Sequence, residues 1–131
     1  MYCLDSNILI DFLRGDPKIT AKIKGCIKTN QILYTTPIIL CELYKGAFMS
    51  SKPDEAVTLI NQLMVDIKLL DFNEQACYIF GKLFKDLQNK GKPTQIPDLM
   101  IGSITKAYSL ILITRNKKDF TNISNLKIEV W

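Results

Sequence analysis

The chain contains no histidine. That one absence removes imidazole acid–base catalysis, histidine-ligated zinc and Ser-His triads. Any chemistry must rest on carboxylates, lysines, hydroxyls or a metal ion. Cysteine is sparse: Cys3, Cys26, Cys41 and Cys77 stand singly among apolar neighbours, and none is spaced from another as a metal-binding pair would be. They read as small buried hydrophobes in a reducing compartment. Long apolar runs are missing as well. The longest, Pro37-Ile-Ile-Leu-Cys41, stops at Glu42, far short of the ~20 residues a membrane-spanning helix needs. Met1-Tyr-Cys-Leu-Asp5 does not have the basic start, apolar core and cleavage site of a secretory signal, so the cytoplasm is the expected location. No membrane partner is expected.

What is present is the composition of an ordered domain. The chain has 131 residues, 47% of them hydrophobic, which is enough to bury a core without crosslinks. With no repeat or linker visible, residues 1–131 are expected to form one domain. Seventeen basic residues exceed 13 acidic ones, for a net charge of +4. If several acids are drawn into a site, the rest of the body is more basic still, which suits a polyanionic substrate.

Short apolar runs alternate with helical stripes. Tyr2-Cys-Leu4 reads as a buried strand, and Asp5-Ser-Asn7 offers cap chemistry for a helix through Leu13 that Gly15 and Pro17 end. Ile19, Ile23, Cys26 and Ile27 mark a second helix, and Ile32-Leu-Tyr34 a second strand. Thr36-Pro37 opens a helix through Phe48, and Pro53-Asp54 opens another. Ile67, Leu69 and Leu70 form a third strand. Asn73 then caps an amphipathic helix through Leu87. Pro97 starts a helix to about Tyr108, Leu110–Ile113 is a fourth strand, and Lys127–Trp131 is a fifth at or near the sheet edge. Continuous apolar strands separated by helices imply right-handed crossovers and buried parallel pairing. The expected fold is α/β: a three-layer α/β/α sandwich around a mostly parallel sheet of about five strands.

Ligands of such sheets bind beyond the carboxyl ends of the strands. Asp5, Thr36 and Thr114-Arg-Asn116 fall at such ends, with Asp119 three residues beyond Asn116. Asp5 has a second reading as a helix cap. Glu42 lies one and a half turns into the helix after the second strand, among apolar neighbours, where a carboxylate is costly unless paired; alternatively it shares a narrow polar stripe with Lys45. Asp98 sits in the first turn of its helix, where the dipole also favours it. Asn116 and Asp119 are also readable as plain loop residues. If these acids converge, their repulsion requires neutralising cations. Oxygen-only ligands select magnesium or manganese. Ions held this way bind a phosphodiester and lower the pKa of a water, so attack by water would leave a 5′-phosphate.

Leu4-Asp-Ser-Asn-Ile-Leu-Ile10, Cys41-Glu-Leu-Tyr-Lys-Gly46, Pro97-Asp-Leu-Met-Ile-Gly102 and Thr114-Arg-Asn-Lys-Lys-Asp-Phe120 occur in that order. Together they resemble the PIN-domain family, and within it the VapC toxins of type II toxin–antitoxin modules. The likeness runs to the closing Leu126–Trp131. It implies an endoribonuclease with metal-binding Asp5, Glu42 and Asp98. A fourth position falls on the loop after the fourth strand. Many PIN domains carry aspartate where this chain has Asn116, so Asp119 and Asn116 compete for that place and a second metal is open. Thr114, with Ser6 or Asn7, would orient the acids or the substrate phosphate. The resemblance also implies a homodimer and inhibition by a VapB-like antitoxin whose C-terminal segment lies over the site.

Two other readings fit parts of the pattern. A catalytically weak PIN domain would bind RNA or protein without cutting, and Asn116 favours it. A phosphoacceptor signalling domain would share the α/β alternation and magnesium. It calls for an acidic pair after the first strand, where Asp5-Ser-Asn7 supplies one acid. Lysines 82, 85, 90, 92, 117 and 118 are candidates for RNA backbone contacts, 82 and 85 reading better as a solvated face.

Overall fold

The computed structural model describes residues 1–131. Its elements run β1 (Tyr2–Leu4), α1 (Ser6–Leu13), α2 (Pro17–Lys28), β2 (Leu33–Thr35), α3 (Pro37–Phe48), α4 (Pro53–Asp66), β3 (Ile67–Leu69), α5 (Glu74–Asn89), α6 (Ile96–Ala107), β4 (Ile111–Ile113) and β5 (Lys127–Glu129). A 3-10 turn, Lys117–Asp119, lies between β4 and β5. All five strands pair in parallel in the order β3-β2-β1-β4-β5, and the six helices flank the sheet in a three-layer α/β/α arrangement. Phosphoacceptor domains of the flavodoxin-like kind use the order 2-1-3-4-5, so the topology excludes that reading.

Local chemistry explains most boundaries. Asp5, Asp16, Thr36 and Asn73 each cap a helix, their side chains accepting from the backbone N–H of Ser6, Ile19, Ile39 and Ala76. Prolines at the starts of α2, α3 and α4 sit where a missing N–H costs nothing. Helix α6 begins at Ile96, one residue before the expected Pro97, and no side chain caps it.

The central strands are dry. Cys3, Leu4, Leu33, Leu112 and Ile113 are buried, while edge strands β3 and β5 are each exposed at two of three residues. Strand β5 is shorter than expected, and beyond it Trp131 is buried edge-on against Tyr2, ring centroids 5.6 Å apart. The β4–β5 connection is anchored by buried Phe120 and Ile123. Gly102 of α6 lets Ile123 approach: a Cβ there would lie 2.7 Å from the Ile123 side chain. No helix is long and apolar enough to cross a membrane.

The cysteine expectation needs correction. Cys3 is buried, and burial pushes its thiol up to about 12, so it is inert. Cys26 is half-buried, but Cys41 and Cys77 are exposed. The buried stripe of α3 is Ile39, Leu43 and Ala47. Cys41, two residues from Ile39, therefore points away from the core although its sequence neighbours are apolar.

Candidate active site

The crevice of a doubly wound sheet opens where the strand order reverses. Here the chain steps outward from β1 through β2 to β3, then returns to place β4 on the other side of β1. The register pairs Leu4 with Ile113. Asp5 and Thr114, the next residue on each strand, therefore leave the sheet side by side. The Thr114 hydroxyl donates to Asp5 Oδ2 at 2.7 Å, and the Ser6 N–H donates to Asp5 Oδ1 at 2.8 Å. Asp5 thus caps α1 and faces the crevice at once; the two sequence readings describe the same carboxylate. It is 5% exposed. Burial pushes its carboxyl above the ordinary range, opposed by the Thr114 and Ser6 donors, and the charge of Asp119 pushes the same way as burial.

Asp98, in the first turn of α6, is half-buried. Burial pushes its carboxyl up to about 6, and the charges of Asp119, Asp5 and Glu42 add to the push. Elements far apart in sequence therefore deliver Asp5, Glu42, Asp98 and Asp119 to one electrostatic neighbourhood. Glu42 projects from α3, partly buried beside the core stripe. Asp119 is carried by the 3-10 turn and lines a cavity of about 400 Å³ together with Asp98, Lys118 and Asn122.

The fourth position is weighted toward Asp119 by this geometry. Both residues are exposed, but Asp119 lines the cavity with Asp98, whereas Asn116 engages through its backbone, its N–H donating to the Thr114 hydroxyl at 3.0 Å. Asn7 accepts from the Arg115 N–H at a long 3.4 Å. Ser6 acts on Asp5 through its N–H and, to a lesser degree, its hydroxyl.

Sequence reasoning passed over Arg115. Its guanidinium pairs with Asp11 at 2.9 Å and Asp16 at 3.3 Å. Asp16 also caps α2, and its carboxyl is held below the ordinary range by the Ile19 N–H and by Arg115. The segment 114–116 is thereby tied to β1, α1 and the α1–α2 turn. An arginine two residues before the basic run Lys117-Lys118 gave no local sign of this; only its partners at i−99 and i−104 reveal it. Thr94, Gln95 and Asn122 also line the acidic cavity and were not anticipated.

Comparison with known proteins decides the family. The PIN-domain model matches residues 2–126. "Ribonuclease VapC1" of Haemophilus influenzae (strain R2866) is 34% identical over 131 residues, covering 100% of this chain and 98% of the relative. The chain belongs to the PIN-domain family. Within it, the VapC proteins are its relatives: "tRNA(fMet)-specific endonuclease VapC" of Shigella flexneri is 28% identical, covering 99% of this chain and 97% of that one. In three dimensions this PIN domain matches a chain of VapBC2 from Rickettsia felis, solved bound to a DNA fragment from its promoter, with a TM-score of 0.92 and 27% identity over 99% and 98% of the two chains.

Whether this PIN domain suits a hard divalent cation depends on its donors. They are carboxylate oxygens: burial first, and then the charges of Asp119, Asp5 and Glu42, raise the Asp98 carboxyl, and a cation would relieve that repulsion. They are not drawn into a closed cage: no three acidic side chains stand as a ready-made set of direct ligands. An ion that keeps several of its own waters and takes one or two carboxylates fits that spacing, as magnesium does.

Proposed function

We propose that this PIN domain is a magnesium- or manganese-dependent endoribonuclease, the toxin of a toxin–antitoxin pair, that hydrolyses RNA to leave 5′-phosphate ends. One observation carries the reading: the charges of Asp5, Glu42 and Asp119 all act on Asp98 at the β1/β4 switch point. The names of the Haemophilus and Shigella relatives support RNA as the substrate.

One or two of Asp5, Asp98 and Glu42 would hold the ion directly and the rest through its waters, with Asp119 the better-placed fourth group. A bound divalent ion supplies charge for the phosphodiester and lowers the pKa of the attacking water. The chain's own part is orientation. Thr114 and the Ser6 N–H fix both oxygens of Asp5, so its lone pairs keep one direction. Arg115 holds the loop that carries Asn116 and Asp119 against α1 and α2. Lys118, which lines the same cavity as Asp98, offers a cation to a backbone phosphate.

The partner we propose is a VapB-like antitoxin, in line with the VapBC2 assembly of Rickettsia felis. An apolar groove of about 260 Å³ lies between α1, α2 and α4, lined by Phe12, Ile23, Ile27, Leu59 and Leu63. It suits apolar side chains of an antitoxin segment that continues over the acids. A homodimer is proposed for the toxin itself.

Incubation of the purified protein with structured RNA and manganese tests the activity. Cleavage by wild type that falls at least a hundredfold in Asp5→Asn and Asp98→Asn is the expected outcome. Equal cleavage by all three proteins would exclude the carboxylate mechanism. The lack of a ready-made ligand set favours a second reading, a binding module; RNA binding without cleavage by any of the three would select it.

A further inference from the structure

A second cavity, of about 310 Å³, lies between the C-terminal turns of α5 and the start of α6. Pro93 and Thr94 line both this cavity and the acidic one, so loop 91–95 is a sill between them. Its chemistry is different from that of its neighbour. Phe84, Leu87 and Leu99 provide apolar surface, while Gln88, Lys92 and Thr94 provide an amide, an ammonium and a hydroxyl. Phe84 is 46% exposed, although it is a large apolar ring. It is not loose: Phe80 stacks against it, centroids 6.3 Å apart and planes 29° from parallel. A braced aromatic ring lining a cavity, with polar groups around it, matches what a planar heterocycle needs: stacking on its faces and hydrogen bonds at its edge.

We propose that this cavity is a base subsite: it takes one unpaired nucleobase of an RNA strand whose scissile phosphate lies over the carboxylates. The proposal rests on the nuclease reading above. Continuity of the two cavities across Pro93 and Thr94 supports it, as does charge. Lys118 stands in the acidic cavity and Lys92 in the base cavity, so a strand crossing the sill meets a cation on each side. Phe84 supplies the stacking face, Phe80 holds its angle, and Gln88 and Thr94 read the base edge. Such a subsite takes bases from single-stranded or looped RNA and rejects duplex ones, because in a duplex the base's faces are stacked on its neighbours and its edge is paired.

The test reads binding rather than cleavage. Fluorescein-labelled single-stranded 12-mer RNA is titrated with the full-length protein in EDTA and followed by anisotropy, with the same sequence as a duplex in parallel. Phe84→Ala should weaken single-strand binding about tenfold, in the range that base–aromatic stacking supplies. Phe84→Tyr should restore it to within about twofold, and the duplex should respond to neither change. Because Phe84 is half exposed, both variants are expected to fold, which circular dichroism checks. Equal single-strand affinity of wild type and Phe84→Ala overturns the subsite. So does a shift of Phe84→Ala from dimer to monomer in sedimentation velocity, which would make the cavity a face between copies of the chain. Failure of wild type to cleave RNA with manganese would sink the nuclease reading, whereas Phe84-dependent binding in EDTA would stand apart from that result.

Discussion

Asp98 carries a cost when the site is empty of cations. Its carboxyl is pushed up to about 6 in the folded protein, against an ordinary value of 3.8. The folded state therefore holds the proton more tightly than the unfolded chain. Its stabilising contribution is full below pH 3.8 and is lost as pH rises through 6, so at neutral pH the charged Asp98 opposes folding. Asp98→Asn should raise the melting temperature of the metal-free protein at pH 7.5, by the equivalent of about 1 kcal/mol after discounting for solvent screening. The gain should shrink toward zero at pH 4. Thermal melts in EDTA at the two pH values check this, and an equal gain at both would contradict it. Thr114 poses the opposite case. Its hydroxyl is fully buried, donates to Asp5 and accepts from the Asn116 N–H. Thr114→Val keeps the shape and strips both partners, so urea unfolding should show a loss of about 1–3 kcal/mol. Thr114→Ser, which keeps the hydroxyl, should lose less than half of that.

The elements of this fold were legible wherever local chemistry writes them. Caps at Asp5, Thr36 and Asn73, the apolar runs of β1 and β4, and the stripe of α5 all follow from nearest-neighbour rules. The β4–β5 connection was not legible. Lys117-Lys-Asp-Phe-Thr-Asn reads as a polar loop, yet Phe120 is 1% exposed and roots the 3-10 turn that presents Asp119. Its partners come from other parts of the chain, as do those of Arg115, and no periodicity records them. The same reason hid the strand order, which depends on which hydrophobic faces meet after collapse. The Arg115 tie makes its own prediction. Its ion pairs are partly solvated, so Arg115→Met should cost under about 1 kcal/mol in global stability. Its effect should be local: faster amide hydrogen exchange across residues 114–120 than in wild type, with α5 and α6 unchanged. Unaltered exchange in that loop would mean that Thr114 and Phe120 alone hold it.

At the scale of the whole molecule, the proposed nuclease requires the basic body and the acidic crevice to work on one polymer. Three of the four acids were visible as residues at strand ends or in the first helical turns beyond them. Their convergence was expected from topology, but that Asp119 rather than Asn116 lines the cavity beside Asp98 needed coordinates, because both lie on one loop. The cations divide in the same way. Lys92 and Lys118 line the two cavities that meet at the sill, whereas Lys82 lines a different one with Asp86 and Lys106. If a single strand follows the sill, each lysine on its path replaces a condensed counterion, and log affinity falls against log salt by about 0.7 per phosphate contacted. Lys92→Ala and Lys118→Ala should each reduce that slope by about 0.7. Lys82→Ala should leave it unchanged, although all three substitutions remove the same charge. Anisotropy titrations of single-stranded RNA from 50 to 200 mM salt, in EDTA, measure the slopes. A common reduction in all three variants would mean that the RNA responds to net charge alone. A reduction confined to Lys92 and Lys118 would place the strand across the sill, beside Asp98 and Asp119.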